Sequence, residues 1–161
     1  MTDKANVADE NKKTKARQVI LSVSGTVKGD DDDSIRLMTT GLLTGSRNHW
    51  KLRYNETAPD SVEPDHVTVS MDEDVVTMQR EGATSASMVF KKGRRWESNY
   101  ETPFGSFAMG VYPTRVHYSV ENGTGEVNLA YQLDLQGHYA AMHELNIRFA
   151  PGKGREKNKE N

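Results

Sequence analysis

Residues 126–135 read EVNLAYQLDL, and this stretch decides the fold class because apolar and smaller or polar side chains alternate along it. A period of two places successive side chains on opposite faces of an extended strand. The same alternation recurs at residues 19–27, 50–54 and 67–71. No segment shows a convincing helical spacing of apolar residues. The sequence therefore predicts an all-β protein whose strands have one packed face and one wet face.

Turn-forming sequences separate the predicted strands, among them Gly45-Ser46, Lys92-Gly93 and Gln136-Gly137. Parallel strands would need long crossover connections, and none of the intervals between strands is long enough. Closing a meander on itself removes its exposed edges. We therefore predict a single antiparallel up-and-down barrel of about 8–10 strands. The strands are expected at 18–29, 34–44, 48–56, 66–71, 75–80, 86–91, 94–102, 106–112, 115–121, 126–136 and 138–149, where those on either side of Pro113 can be one bent strand.

Composition indicates one domain with polar ends. The 161 residues carry a net charge of −2, and hydrophobic residues make up 35%. Residues 1–17 and 151–161 contain almost no large apolar side chains, so we expect disordered tails around a barrel domain at 18–150. The charge balance indicates neither a nucleic-acid partner nor a membrane partner. No apolar run approaches the ~20 residues that span a bilayer, and no signal-peptide pattern is seen. We expect a cytoplasmic protein.

Motifs for catalysis or metal binding are missing from the sequence. There is no cysteine, which excludes disulfides and thiolate chemistry. No serine lies in a G-x-S-x-G elbow. His138 and His143 are five residues apart, so a regular strand would place them on opposite faces. We therefore expect no enzyme activity, no cofactor and no metal site.

Arg80 is the most informative polar residue, because it continues the inward phase of Val76 and Met78. A guanidinium on an apolar face needs a partner, since an unpaired buried charge is costly. Two interpretations stay open. Arg80 is paired internally by Glu56, Tyr54 or Tyr131 at one end of the barrel, or it receives a ligand carboxylate or phosphate there together with the tyrosines. The candidate ligand-binding residues are Tyr54, Glu56, Arg80 and Tyr131.

Methionine and aromatic side chains supply the expected lining of the interior. Methionine adapts to irregular space, so this mixture fits a deformable pocket as well as a filled core. The candidate lining residues are Trp50, Met78, Met88, Phe90, Trp96, Tyr100, Phe104 and Met109.

Four segments carry a resemblance to a known family. They are residues 52–57 (LRYNET), 76–82 (VTMQREG) with 87–90 (SMVF), 100–105 (YETPFG) with 109–111 (MGV), and 125–133 (GEVNLAYQL). In that order and spacing the chain resembles the YwiB-like family of bacterial proteins of unknown function. The resemblance implies a calycin-like β-barrel of the lipocalin and fatty-acid-binding type, and a bacterial origin. It implies no reaction.

The expected function is binding of a small amphipathic or anionic ligand inside the barrel. The alternative is a filled barrel that acts as a protein-interaction module or forms a homodimer. In that case side chains such as Phe107, Tyr118 and Tyr139 are candidates for the exposed contact face.

Overall fold

The computed structural model describes residues 15–28, 33–57 and 62–152, and it does not describe the side chains of Asp33 and Ala140. The expected polar tails lie largely outside these ranges. Within them the chain forms ten strands and no helix, so none of its segments is a helix able to cross a bilayer. The strands are β1 Arg17–Lys28, β2 Asp33–Ser46, β3 His49–Glu56, β4 Asp65–Asp72, β5 Val75–Glu81, β6 Ala86–Lys91, β7 Trp96–Thr102, β8 Gly105–Glu121, β9 Thr124–Leu135 and β10 His138–Pro151.

All ten strands belong to one antiparallel sheet that is nearly closed into a barrel. Its order is β6-β5-β4-β3-β2-β1-β10-β9-β8-β7, so the first and last strands pair with each other. The predicted barrel is confirmed. Eleven predicted segments become ten because β8 runs through Pro113, where the register with β9 shifts between Pro113 and Arg115. This bulge lets a residue without an N–H lie inside a long strand.

Two-residue turns close the last hairpins. Asn122 and Gly123 both have positive φ (56° and 80°), as do Gln136 and Gly137 (55° and 79°). Positive φ at both central positions is the type I′ geometry, which matches the twist of the flanking strands. The sequence places a glycine second in both turns, where the left-handed conformation costs least.

The core lies inside the barrel and consists of residues that the period-two pattern assigns to the inner face. Leu52, Val69, Leu129 and Ile147 have no exposed surface. Cross-strand partners in an antiparallel pair share a face, as Leu52 and Val69 do. Burying a side chain of this size contributes about 1.5–3 kcal/mol relative to leaving it exposed. The alternation therefore directs both the strand pairing and the core.

One junction of the sheet is open. The strands β6 and β7 are neighbours without a continuous ladder between them. Within the described residues, two isolated bridges join them: Lys91 with Arg94 at their turn, and Ser85 with Glu101 at the far end. Ser85 and Glu101 exchange two backbone hydrogen bonds of 2.9 and 2.8 Å. Farther along, the carbonyl of Ser87 accepts hydrogen bonds from the Ser98 hydroxyl (2.8 Å) and the Trp96 indole (3.3 Å). We call this junction the seam.

Neighbouring strands run in opposite directions, so the last residues of the odd-numbered strands lie at one end of the barrel, together with the first residues of the even-numbered strands. We call this the mouth end. The charged inward-facing residues of β3, β4 and β5 lie there. The opposite end holds the four turns that follow β2, β4, β6 and β8, the start of β1 at Arg17 and the end of β10 at Pro151.

Candidate functional site

The site is built around Arg80, the last inward-facing side chain of β5. Its Nη1 donates to Asp65 Oδ2 at 3.2 Å, and its Nη2 donates to Glu56 Oε1. About a third of the Arg80 side chain is exposed (30%), against 26% for Glu56 and 12% for Asp65. Burial would lower the pKa of Arg80, but the two carboxylates outweigh it and raise the pKa above its ordinary value. We call Glu56, Asp65 and Arg80 the charge cluster.

Asp65 is the most heavily bonded member of the cluster. Besides Arg80, it accepts hydrogen bonds from the Ala83 amide (2.9 Å) and the Thr84 hydroxyl (2.8 Å). Burial would raise the pKa of Asp65, but the bonds from Thr84, Arg80 and Ala83 together hold it below its ordinary value. A Cβ at Gly82 would lie 2.1 Å from Asp65 Oδ1, so the absence of a side chain at Gly82 makes this approach possible.

The internal pairing of Arg80, one of the two interpretations left open, is what the structure shows. Glu56 was among the expected partners, whereas Tyr54 and Tyr131 do not bond to Arg80. The predicted fourth strand begins at His66, which leaves Asp65 just outside it. Asp65 begins β4, and it could have been found by extending the alternation of Val67 and Val69 back by two residues. Its position opposite Glu56 in the β3–β4 ladder places both carboxylates on one face.

A cavity of about 260 Å³ lies next to the charge cluster, inside the barrel. We call it the lumen cavity. Exposed Gln79 and half-buried Arg80 in its wall mark the side where it meets solvent. The wall is mostly apolar and comes from β4, β5, β6, β7, β8 and β9. The lining residues are Val67, Met78, Gln79, Arg80, Ala86, Met88, Tyr100, Met109, Tyr131, Leu133 and Leu135.

Tyr131 presents a polar atom to this apolar wall. Its ring packs edge-on against Phe90 (centroids 4.9 Å apart) and stacks on His143 (5.3 Å). Its side chain is 92% buried, since only 8% is exposed, and burial raises its pKa to about 12. The hydroxyl has no hydrogen-bond partner among the described residues. In that part of the chain every fully enclosed side-chain oxygen or nitrogen has a partner, so the Tyr131 hydroxyl keeps accessible surface, and the cavity that it lines supplies it.

The structure separates the candidate residues into two groups. Six lie in the wall of the lumen cavity: Met78, Arg80, Met88, Tyr100, Met109 and Tyr131. Phe90 is fully buried beneath it. Tyr54 is buried in the core next to the cluster, and burial, followed by the charge of Glu56, raises its pKa well above the usual range.

Three of the candidate lining residues are not in the wall of the lumen cavity. Phe104 is 92% exposed in the β7–β8 turn, which the Thr102 hydroxyl closes by bonding the Phe104 amide and the Gly105 carbonyl. Trp50 packs near the opposite end, where its indole donates to the Arg47 carbonyl. Trp96 is 40% exposed at the seam. These residues were chosen because they are aromatic, and residue type alone does not show whether a side chain lies in a turn or near the end of a strand.

Two further predictions are wrong, and a strand irregularity explains the first of them. A β-bulge between Tyr139 and Ala141 shifts the phase of β10. His138 pairs with Leu135 and His143 pairs with Tyr131, so the two histidines share a face rather than pointing to opposite sides. Tyr118, expected to be exposed, packs against the core, and its hydroxyl donates to the Asn48 carbonyl at 3.3 Å.

Comparison with known proteins supports the fold. The family model described as "Domain of unknown function (DUF1934)" matches residues 21–147. Among solved structures, the crystal structure of ywiB protein from Bacillus subtilis superposes with a TM-score of 0.78 at 21% sequence identity, over 89% of this chain and 98% of that one. Comparison with curated protein sequences gives no match. The resemblance seen in the sequence is thereby confirmed.

Proposed function

The chain belongs to the DUF1934 family of domains of unknown function, and we propose that its barrel binds a small amphipathic molecule in the lumen cavity. The observation that carries this proposal is the Tyr131 hydroxyl, which has no hydrogen-bond partner among the described residues although Tyr131 lines a mostly apolar wall. Binding pockets are typically apolar with a few placed polar groups that fix orientation. A filled core of this size would leave neither the space nor a polar atom without a partner.

An anionic head group is the less favoured form of this proposal. Arg80 was the candidate receptor for a ligand carboxylate or phosphate, but both of its terminal nitrogens already donate to protein carboxylates. A ligand anion would have to displace one of them. A role in the bacterial cytoplasm without catalysis remains part of the same proposal.

The test begins with native mass spectrometry of protein purified from its own host. We expect one bound species of low mass, lost on mild activation. Ala86→Phe places a ring inside the cavity without removing a core side chain, and it should abolish the bound species. Ala108→Phe adds the same ring at an exposed position of β8, and this control variant should retain the bound species. Absence of any bound species, together with identical spectra for both variants, would contradict the proposal.

A second proposal, a contact between two copies of the chain, has one observation in its favour. Ile20, Met38 and Leu42 are 37%, 66% and 45% exposed. Their cross-strand partners show that they lie together on the outer face of β1 and β2. Sedimentation velocity of the wild type against Met38→Lys is the test. A monomer at every concentration would remove the homodimer.

A further inference from the structure

The charge cluster carries one net negative charge, because two carboxylates face one guanidinium. Arg80 donates through both Nη atoms, and Asp65 is held by three donors. The remaining acceptor capacity is therefore concentrated on Glu56, whose contacts within the described residues consist of the single bond from Arg80. A carboxylate can accept several hydrogen bonds. The Glu56 side chain is 26% exposed, and it bonds Arg80, which lines the lumen cavity.

The size of the lumen cavity limits the apolar part of the ligand. At about 260 Å³, and with ~30 Å³ for each water-sized group, it holds roughly eight or nine non-hydrogen atoms. Long-chain lipids do not fit this space. An eight-carbon chain or a single ring with a short arm does, and methionines 78, 88 and 109 in the wall can adapt to either shape.

The charge cluster is not the evidence that a ligand binds. That evidence is independent and comes from Tyr131, which lines the same cavity and whose hydroxyl has no partner among the described residues. The net negative charge of the charge cluster determines which charge a ligand head group can carry beside it. Like charges at short range in a partly desolvated site repel strongly, while an opposite charge is attracted.

We infer that the ligand is a short amphiphile with a primary amine head group, whose ammonium lies against Glu56 while its apolar body fills the lumen cavity. This inference rests on the proposed function. An inward-facing arginine in the sequence suggests a site for anions. The structure favours a cation instead, because Asp65 and Glu56 already neutralise the charge of Arg80.

Three probes of equal length test the inference by isothermal titration calorimetry at pH 7: n-octylamine, octan-1-ol and octanoate. We expect octylamine to bind at least tenfold more tightly than octanoate, with octan-1-ol between them. If none of the three binds, the proposed function fails and the inference fails with it. If octan-1-ol or octanoate binds as tightly as octylamine, the cavity is a binding site and only the amine head group is wrong.

Glu56→Gln tests the charge directly. It removes the net negative charge while Arg80 keeps Asp65, so the variant should fold, which thermal unfolding checks. We expect octylamine to bind about tenfold more weakly, octanoate to bind more tightly, and octan-1-ol to be unchanged. Glu81→Gln is the matched control, since it changes the net charge equally one residue from Arg80 on the exposed face. Equal losses in both variants would attribute the preference to overall charge and overturn the assignment to Glu56.

Discussion

Asp65 offers the sharpest test of the site, because a single carboxylate joins β4, β5 and the turn that follows β5. Asp65→Ala removes acceptors from the Ala83 amide, the Thr84 hydroxyl and Arg80 at once. Breaking one side of a buried ion pair costs about 3–5 kcal/mol. Since Arg80 keeps Glu56 and is partly exposed, we expect a loss near the lower end, about 3 kcal/mol of the free energy of unfolding.

Urea denaturation followed by far-ultraviolet circular dichroism measures this loss. Thr84→Val removes one of the three donors and should cost about 1.5 kcal/mol, the value for a hydrogen bond to a charged group. A double-mutant cycle of Asp65→Ala with Arg80→Met should give a coupling energy of about 1–3 kcal/mol. If Asp65→Ala costs no more than ~0.5 kcal/mol, as a surface substitution usually does, then the bonds described around Asp65 do not stabilise the barrel.

The pH dependence of stability is a second, independent test of the role of Asp65. The pKa of Asp65 is lower in the folded protein than its ordinary value, so its contribution is complete above an unfolded pKa of about 3.9. It is lost as the pH falls through the lower, folded pKa. The difference in stability between the wild type and Asp65→Asn should therefore shrink between about pH 5 and pH 2. A difference that grows on acidification would contradict the assigned direction.

Other variants test the barrel itself. Gly41→Ala places a Cβ 2.4 Å from the Arg53 carbonyl oxygen, and we expect overpacking to cost about 1–3 kcal/mol by urea denaturation; no loss would mean that this close approach relaxes freely. Leu52→Ala, at a fully buried position, should cost about 2–5 kcal/mol, whereas a loss under ~1 kcal/mol would argue against a packed interior there. Ser85→Cys with Glu101→Cys should form a disulfide across the seam, because hydrogen-bonded pairs have Cα atoms about 5.5 Å apart. In a chain without other cysteines, oxidation should raise the free energy of unfolding by about 2–4 kcal/mol over the reduced form, and a decrease would show that the seam is wider than described.

The barrel was predictable because its determinants are local and repeated. Alternation along each strand selects the buried face, and short turns restrict the connections to neighbours. The same reasoning placed Arg80 inside the barrel and proposed Glu56 as a partner, because the direction of each side chain follows from the alternation along its own strand. Asp65 was missed because one residue of error at the start of β4 moves a side chain from a strand into a loop.

Features that interrupt the alternation were not predictable. The bulge before Ala141 leaves no mark in the sequence, yet it reverses the relative direction of His138 and His143. Phe104 was assigned by its chemical type, and the fold exposes it in a turn. The cavity has a similar origin. Its volume depends on how side chains from six strands meet, and no single segment of sequence contains that information.

The long pairing of β1 with β10, from Val19 with Pro151 to Lys28 with Met142, constrains how the chain is made. On a ribosome, β1 cannot pair with β10 until the chain has been synthesised as far as Pro151. The six strands β1 to β6 and the four strands β7 to β10 can assemble as separate meanders, and these join at β1 only once β10 is available. Such distant pairing slows folding, so the edges of β1 and of the first meander stay open to other chains throughout synthesis.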